Sequence, residues 1–514
     1  MRRRDCLRLF GAGLAGGLAG CDAVPEADSS DSELSADPID QEKLVGAFYY
    51  AWYWGRDGYA IHRERPWLEH TPYTPELGQY DSRDPTVVDQ HIKWALEAGI
   101  NWFVLNTGHP GGPIMNSIRE SFLEASLADR MNYAFDIGFD HGPVTDADGR
   151  YVVDDPRNIQ EYRRYFDAYA DFFEDPNYVR FDGRPVLFDF STGRLTGDIA
   201  TALATVSESI GDDPYFIANP TGFWAPPAID PPGRIPPESI FQAYDAVRKY
   251  AALPPDGAAD VERNYPAHWA DRMEYWRFLS DHHDTAFIPT VMPGFNDQEI
   301  KWDRTHHEVL DLSPEEFRTV CERSLRYVDP DLDAVVITSW NEFSEGSTIE
   351  PTNEYGHQRL DIVRETLGRT ASDPVRVDEY PLVSLAFNRT VRPEGAPEAV
   401  QLAFFLETLE LSGPNGTIRS YDVGTVGAGP TFVDGAYPRG SHGEHSGRWL
   451  GGPTKTAACY LHPIAVDART AVLSGRPISP EDITAEVSVN GDRTDRVSFD
   501  QRGDREYRVS LQPA

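Results

Sequence analysis

Short apolar runs recur along the first two thirds of the chain: Leu44–Trp54, Trp102–Asn106, Tyr133–Asp140, Pro185–Ser191, Tyr215–Asn219, Ile240–Tyr244, Ala286–Met292 and Ala334–Trp340. Near-continuous apolarity predicts strands buried on both faces, as in a parallel sheet. The intervals between them carry helical periodicity. Val88, Ile92, Ala95 and Leu96 share one face of a helix over Val87–Ala98, and an aromatic stripe marks a second over Ile159–Phe173. Eight strands alternating with helices predict a (β/α)8 TIM barrel over residues 42–372. An open doubly wound sheet is the competing α/β architecture, but no glycine-rich phosphate loop follows any of the runs.

Near Asp373–Val375 the pattern changes to short alternating runs. Val400–Leu411, Thr417–Val423, Lys455–Leu461, Thr484–Val489 and Glu506–Leu511, with Pro414-Asn415-Gly416 and Asn490-Gly491-Asp492 as turns, predict a C-terminal β-sandwich over residues 376–514. Trp449 and Tyr437 are its candidate glycan-stacking side chains; packing against the barrel is the plainer role for this domain.

Charge and composition narrow the partners. The chain has 514 residues, and 83 acidic against 47 basic side chains give a formal charge of −36. This argues against nucleic acid or anionic lipid, whose phosphates need cations to neutralise them. Lysine occurs only at positions 43, 93, 249, 301 and 455. Diffuse acidity with so little lysine is the pattern of a halophilic protein, in which salt screens the self-repulsion. At the N-terminus Arg2-Arg3-Arg4 precedes a short stretch of Leu, Ala and Gly that ends at Cys21. Residues 1–21 therefore read as a twin-arginine lipoprotein signal with Cys21 as the lipidated residue, and residues 22–41 as an acidic, Ser/Asp-rich tether. The expected location is the extracellular face of the membrane, with a lipid anchor as the sole membrane contact. Cys321, in a predicted helix, and Cys459, in a predicted strand, read as buried free thiols. No metal-ligand spacing or cofactor motif is visible, so neither is expected.

Candidate chemistry gathers at strand ends. The run Asp333–Gly346, DAVVITSWNEFSEG, turns from apolar to acidic within a few residues, as a barrel strand does when it delivers side chains to the C-terminal mouth. Glu342 and Glu345 are the candidate acid/base pair, since Trp340 and Phe343 beside them would desolvate a carboxyl. A salt-bridged strand-end Glu followed by a turn-capping Glu is the structural alternative. Tyr50, Trp52, Asn106, Asp140, Asp189, Tyr244 and Asn296 end other predicted strands or their loops, and with Trp340 and Asn341 beside the pair they are the candidate substrate-binding residues.

Three stretches, Tyr49–Tyr53, YTPELGQYDSRDPTVVDQH over Tyr73–His91 and WNEFSEGSTIEP over Trp340–Pro351, resemble the glycoside hydrolase family 99 barrels, the endo-α-1,2-mannosidases and mannanases. FIPTVMPGFND, Phe287–Asp297, is similar to that family's seventh strand and its loop. The resemblance spans roughly residues 44–370. It implies a retaining reaction in which Glu342 acts as a base on the sugar's own 2-hydroxyl to give a 1,2-anhydro sugar. Glu345 would protonate the leaving oxygen and later activate water. It also implies that Tyr50 lines the reacting subsite, that Trp340 and Asn341 orient Glu342, and that Glu350 closes the loop. A substrate-assisted route suits two glutamates on one loop, because an ordinary retaining pair stands about 5–5.5 Å apart across the bond. Asn106-Thr107-Gly108-His109-Pro110 and the proline-rich loop Trp224–Pro236 depart from the family pattern.

The expected function is an exported glycoside hydrolase acting on an α-linked, candidate α-mannosidic, polysaccharide or glycoconjugate. The competing readings are a non-catalytic surface glycan-binding lipoprotein and a glycosyl-transferring enzyme of surface-polysaccharide assembly.

Overall fold

The computed structural model describes residues 43–512 apart from 56–66, 140, 191, 221–237, 252, 254–264, 301–308, 368–380, 394, 397–399, 415, 425–430, 444, 462–467, 480–482 and 500–504. The expected signal, Cys21, the tether, Asp140 and the Trp224–Pro236 loop lie outside the described residues.

The first domain is a parallel barrel with helices outside it. Its strands are β1 (Leu44–Tyr50), β2 (Trp102–Asn106), β3 (Asn132–Ile137), β4 (Arg184–Asp189), β5 (Tyr215–Ala218), β6 (Ala246–Arg248), β7 (Ala286–Ile288), β8 (Thr290–Val291) and β9 (Ala334–Ile337). Pairing runs in chain order from β1 to β7, while β8 pairs with β9 and β9 with β1. Segments β7 and β8 are one strand interrupted at Pro289, which has no N–H to give to a ladder. The Pro289 carbonyl still accepts from Val336 N at 3.1 Å, so eight strand positions close the ring. The helices are α1 (Pro85–Glu97), α2 (Pro113–Ser117), α3 (Pro156–Ala170), α4 (Ile199–Ile210), α5 (Glu238–Ala243), α6 (Tyr265–His282), α7 (Pro314–Ser324) and α8 (Gln358–Thr366). They follow the strands one by one, as a (β/α)8 barrel requires.

One predicted strand is a helix. Ile240, Phe241 and Tyr244 are buried, and they fall on one face of α5 and its C-terminal turn, where Tyr244 N donates to Ile240 O at 3.1 Å. The sixth strand is Ala246–Arg248, whose apolar character is interrupted by Arg248 and Lys249.

Alternate residues of each strand point into the barrel. Phe48, Trp102, Phe188 and Tyr250 meet there, with Phe48 5.8 Å from Phe188 and 5.3 Å from Tyr250, and Trp102 5.7 Å from Phe188 between ring centroids. The Arg248 guanidinium lies 4.2 Å from the Phe48 ring centroid and 3.5 Å from the Asp136 carboxylate, and both charged groups are buried.

The second domain is an antiparallel sheet of eleven strands between Leu382 and Ser510, with its own core. Asp492–Phe499 and Arg505–Ser510 end opposite sides of the pairing order, yet Thr494 Oγ1 donates to Ser510 O at 2.8 Å, so the sheet folds over until its ends meet. Strand Thr431–Asp434 lies against α6 of the barrel. Tyr437 is turned inward: its hydroxyl accepts from Gln401 N at 2.9 Å. Trp449 is half-buried beside Phe405. Cys321 in α7 and Cys459 in strand Thr456–Tyr460 are free, buried thiols, and burial pushes the latter up to about 12.

Gly46 on β1 has Trp102 directly over it: a Cβ would stand 2.4 Å from the indole. Gly46→Ala is expected to lower stability by about 1–3 kcal/mol, as overpacking of a rigid core does. A denaturant midpoint equal to that of the unaltered protein would show that the Trp102 layer yields.

Candidate active site

The chain after β9 folds back on itself and docks on β1. Trp340 N donates to Phe48 O at 2.8 Å, which extends the β9–β1 ladder. Asn341 then uses its side chain as a substitute peptide group: Oδ1 accepts from Tyr50 N at 2.8 Å, and Nδ2 donates to Tyr50 O at 3.0 Å. Tyr53 braces the next step, its hydroxyl donating to Asn341 O at 2.6 Å and accepting from Phe343 N at 2.9 Å. The return limb, Ser347–Glu350, is tied by Ser339 N to Ser347 O at 2.6 Å and Glu350 N to Trp340 O at 2.9 Å.

This loop holds Glu342 and Glu345 at 4% and 6% exposure. Glu342 N donates to Ser339 Oγ at 2.7 Å, and Glu342 Oε1 accepts from the Ser344 hydroxyl and, at 3.2 Å, from Ser344 N. Glu345 O accepts from Asn296 N at 2.6 Å, which joins the loop after β8 to the pair. Between them and that loop sits Gly346, at φ +61°, where a Cβ would meet Pro72 at 3.0 Å and Asn296 at 3.1 Å. Both the left-handed conformation and the close approach call for glycine.

Two tyrosines complete the mouth. The Tyr50 and Tyr250 hydroxyls are 2.5 Å apart, and Trp52 stacks on Tyr50 at 4.2 Å between centroids. Burial, then the negative field of Glu342, raises the Tyr50 pKa. Tyr250 is raised by burial, then by Tyr50, Glu345 and Glu342. Both phenols therefore stay protonated as donors beside two carboxyls. Asn106, half-buried on β2, donates to Asp136 Oδ2 at 3.3 Å, and Asp136 lies against Arg248 below the tyrosines. Burial lowers the Arg248 pKa, and Asp136 opposes the shift.

Of the expected substrate contacts, Trp340, Asp189 and Tyr244 are buried away from the mouth. Trp340 is fully buried, packed on Phe103 at 5.4 Å and His91 at 5.7 Å, so it anchors the loop. Asp189 is out of phase with the inward residues of β4, and outside the barrel it accepts from the Tyr244 hydroxyl at 2.6 Å and from Phe139 N at 3.4 Å. Asn296 stays beside the pair, half-buried, with its backbone N on Glu345 O and its Oδ1 accepting from Gln298 N at 3.1 Å. Residues that sequence reasoning missed are Tyr250, Tyr53, Ser339 and Ser344. Tyr250 follows the strand hidden by Arg248 and Lys249, whereas the serines lay in plain view inside TSWNEFSEG.

The profile of the family described as Glycosyltransferase WbsX matches residues 61–363, well over half of the chain. The chain belongs to the WbsX family. Among curated proteins, the glycoprotein endo-α-1,2-mannosidase-like protein of Mus musculus is 26% identical over 359 residues, covering 64% of this chain and 74% of the relative. The glycoprotein endo-α-1,2-mannosidase of Rattus norvegicus is 23% identical over 338 residues, covering 60% and 67%. A solved structure titled as the GH99 endo-α-mannosidase from Bacteroides thetaiotaomicron covers 63% of this chain and 96% of its own at 19% identity, with a TM-score of 0.45. This WbsX member is thus a distant homologue of the endo-α-1,2-mannosidases, as the three motif stretches implied.

Replacing Asn341 by Ala is expected to orphan the buried Tyr50 N–H and C=O, at about 1–3 kcal/mol per group, and to appear as a lowered melting temperature. Alkali is expected to destabilise the protein as well. The folded pKa values of Tyr50, Tyr80 and Tyr250 lie above the ordinary value near 10, so the unfolded chain loses these protons first. Their contribution is whole below about pH 10 and is lost as pH rises toward the folded values. Melting temperatures recorded from pH 8 to 11 should fall steeply above 10, and less steeply for Tyr250→Phe.

Proposed function

We propose that the protein hydrolyses α-mannosidic or similarly α-linked bonds in a polysaccharide or glycoconjugate, by a retaining, substrate-assisted route. The observation that carries this reading is the pair of nearly buried carboxyls, Glu342 and Glu345, on one loop whose field reaches the protonated Tyr50–Tyr250 pair. Glu342, with one oxygen held by the Ser344 hydroxyl and amide, serves as the base on the sugar 2-hydroxyl. That hydroxyl's oxygen attacks the anomeric carbon as the glycosidic bond breaks. Glu345 gives its proton to the leaving oxygen, then takes one from the water that opens the anhydro ring while Glu342 returns its proton to the 2-oxygen. One phenol of the Tyr50–Tyr250 pair gives its hydrogen to the other, which leaves the second to donate to a sugar oxygen, and Trp52 offers an apolar ring face at the rim. Export through a twin-arginine signal and lipid attachment at Cys21 are part of the proposal, supported by Arg2-Arg3-Arg4 and the small residues before Cys21.

The family's printed description favours a second reading, transfer of the glycosyl unit to an acceptor other than water. The same Glu pair would serve it, with the acceptor hydroxyl in place of water.

Both readings are tested by incubating the mature chain in high salt with α-mannans and acidic exopolysaccharides, and analysing the products. The unaltered protein should release oligosaccharides, while Glu342→Gln and Glu345→Gln lose turnover by about a hundredfold or more and still bind the polymer. New linkages without net release would select transfer. Binding with no product from any form would replace both with a glycan-binding platform.

A further inference from the structure

The strings Tyr73–His91 and Trp340–Pro351 meet in a buried network that the Glu pair does not contain. Asp84 caps α1 through Thr86 N at 2.9 Å, with Pro85 opening the helix, and this sets His91 on the core face. The Tyr49 hydroxyl lies 3.1 Å from His91 Nδ1, and His91 Nε2 lies 3.3 Å from Glu350 Oε1. The Tyr80 hydroxyl donates to Glu350 Oε2 at 3.0 Å, and Asn341 Nδ2 donates to the Tyr80 hydroxyl at 3.2 Å. Glu350 is 1% exposed, and the other members are buried.

Along the Tyr80 arm of this network the hydrogens run in one direction. Tyr49 and Tyr80 are held protonated by burial and then by the charge of Glu350. A carboxylate only accepts, so Tyr80 gives its hydrogen to Glu350 and must accept from Asn341. The Tyr49 hydroxyl and His91 Nδ1 share one hydrogen, whose direction follows the His91 tautomer, while His91 Nε2 lies beside Glu350 without a hydrogen bond to it. The two hydrogens of the Asn341 amide are thereby assigned, one to Tyr80 and one to the Tyr50 carbonyl, and Oδ1 is left for the Tyr50 N–H. A flipped amide would set N–H against N–H and oxygen against oxygen on β1.

We propose that Glu350 is a positioning residue: its carboxylate, acting through the Tyr80 hydroxyl, holds an acceptor on the second Asn341 Nδ2 hydrogen and so reinforces the one amide orientation, matched to Tyr50, that pins the Glu342–Glu345 loop to β1. The inference rests on the reading that this Glu pair carries the chemistry. It gives both strings one purpose, since the first supplies the relay and the second supplies the charge and the group it orients.

Glu350→Gln keeps the shape but brings a donor into a site with room for acceptors only, so the direction of the relay is no longer unique. The expected result is a kcat about tenfold lower or more, with KM changed less than about twofold, because no group touching substrate is altered. Tyr80→Phe disconnects the relay, so Glu350→Gln added to Tyr80→Phe should change kcat less than about twofold further. Equal losses in the two backgrounds, or no loss in either, would overturn the proposal.

A readout without substrate separates this from the hydrolase reading. In protein labelled with 15N at asparagine, the Asn341 side-chain amide signals, identified by their loss in Asn341→Ala, should move or broaden in Glu350→Gln and in Tyr80→Phe. Unmoved signals overturn the proposal even if glycan is cleaved. Moved signals uphold the orientation even if no glycan in the panel is. Should Glu350→Gln fail to fold, Tyr80→Phe alone decides by the same amide signals and the kcat-against-KM split.

Discussion

One side-chain amide holds the site to the fold. Beyond Ile337 the ninth strand leaves the sheet, and its backbone can no longer pair residue by residue with β1. Asn341 has the shape and polarity of a peptide group, and it makes with Tyr50 the two hydrogen bonds that another strand residue would have made. The acidic loop is in effect an extension of the barrel wall. Its geometry is thus as firm as the sheet's, a necessary condition for two carboxyls that must act on the same sugar ring.

The architecture was legible because it rests on long-range regularities. Apolar runs separated by helical spacing located every barrel strand except the sixth, and turn residues marked the change to antiparallel structure. What was less legible is phase. A strand shows alternate residues to opposite sides, so Tyr50 and Tyr49 belong to different environments, one in the barrel mouth and the other against α1. A run apolar on both faces conceals which residues point inward, and that is why Asp189 looked like a mouth residue although it faces the helices. The sixth strand failed for a related reason. Its inward positions include Arg248, a buried cation among aromatic rings, which breaks the apolar pattern that the search depended on.

The Glu pair proposed to carry the chemistry stood out in the sequence by its neighbours, whereas the groups that the structure bonds to it did not. Ser339 and Ser344 act through bonds to Glu342 that depend on how the loop folds back, and Tyr250 arrives from the opposite side of the ring. No spacing in the sequence expresses such a meeting. The WbsX description and the mannosidase relatives name transfers of a glycosyl unit that differ in the acceptor, and in the proposed reading the same barrel mouth would serve either.

The interruption at Pro289 has a consequence for how such a barrel can diversify. In an unbroken strand, gaining or losing one residue turns every later side chain to the other face. Here the ladder stops and restarts, with β7 answering to β6 and β8 answering to β9. A length change at this joint is absorbed locally, before the segment that reaches Asn296 and the Glu345 carbonyl. The seam is therefore the point at which the wall nearest the acid pair can be lengthened or trimmed while the remainder of the ring keeps its inside and outside.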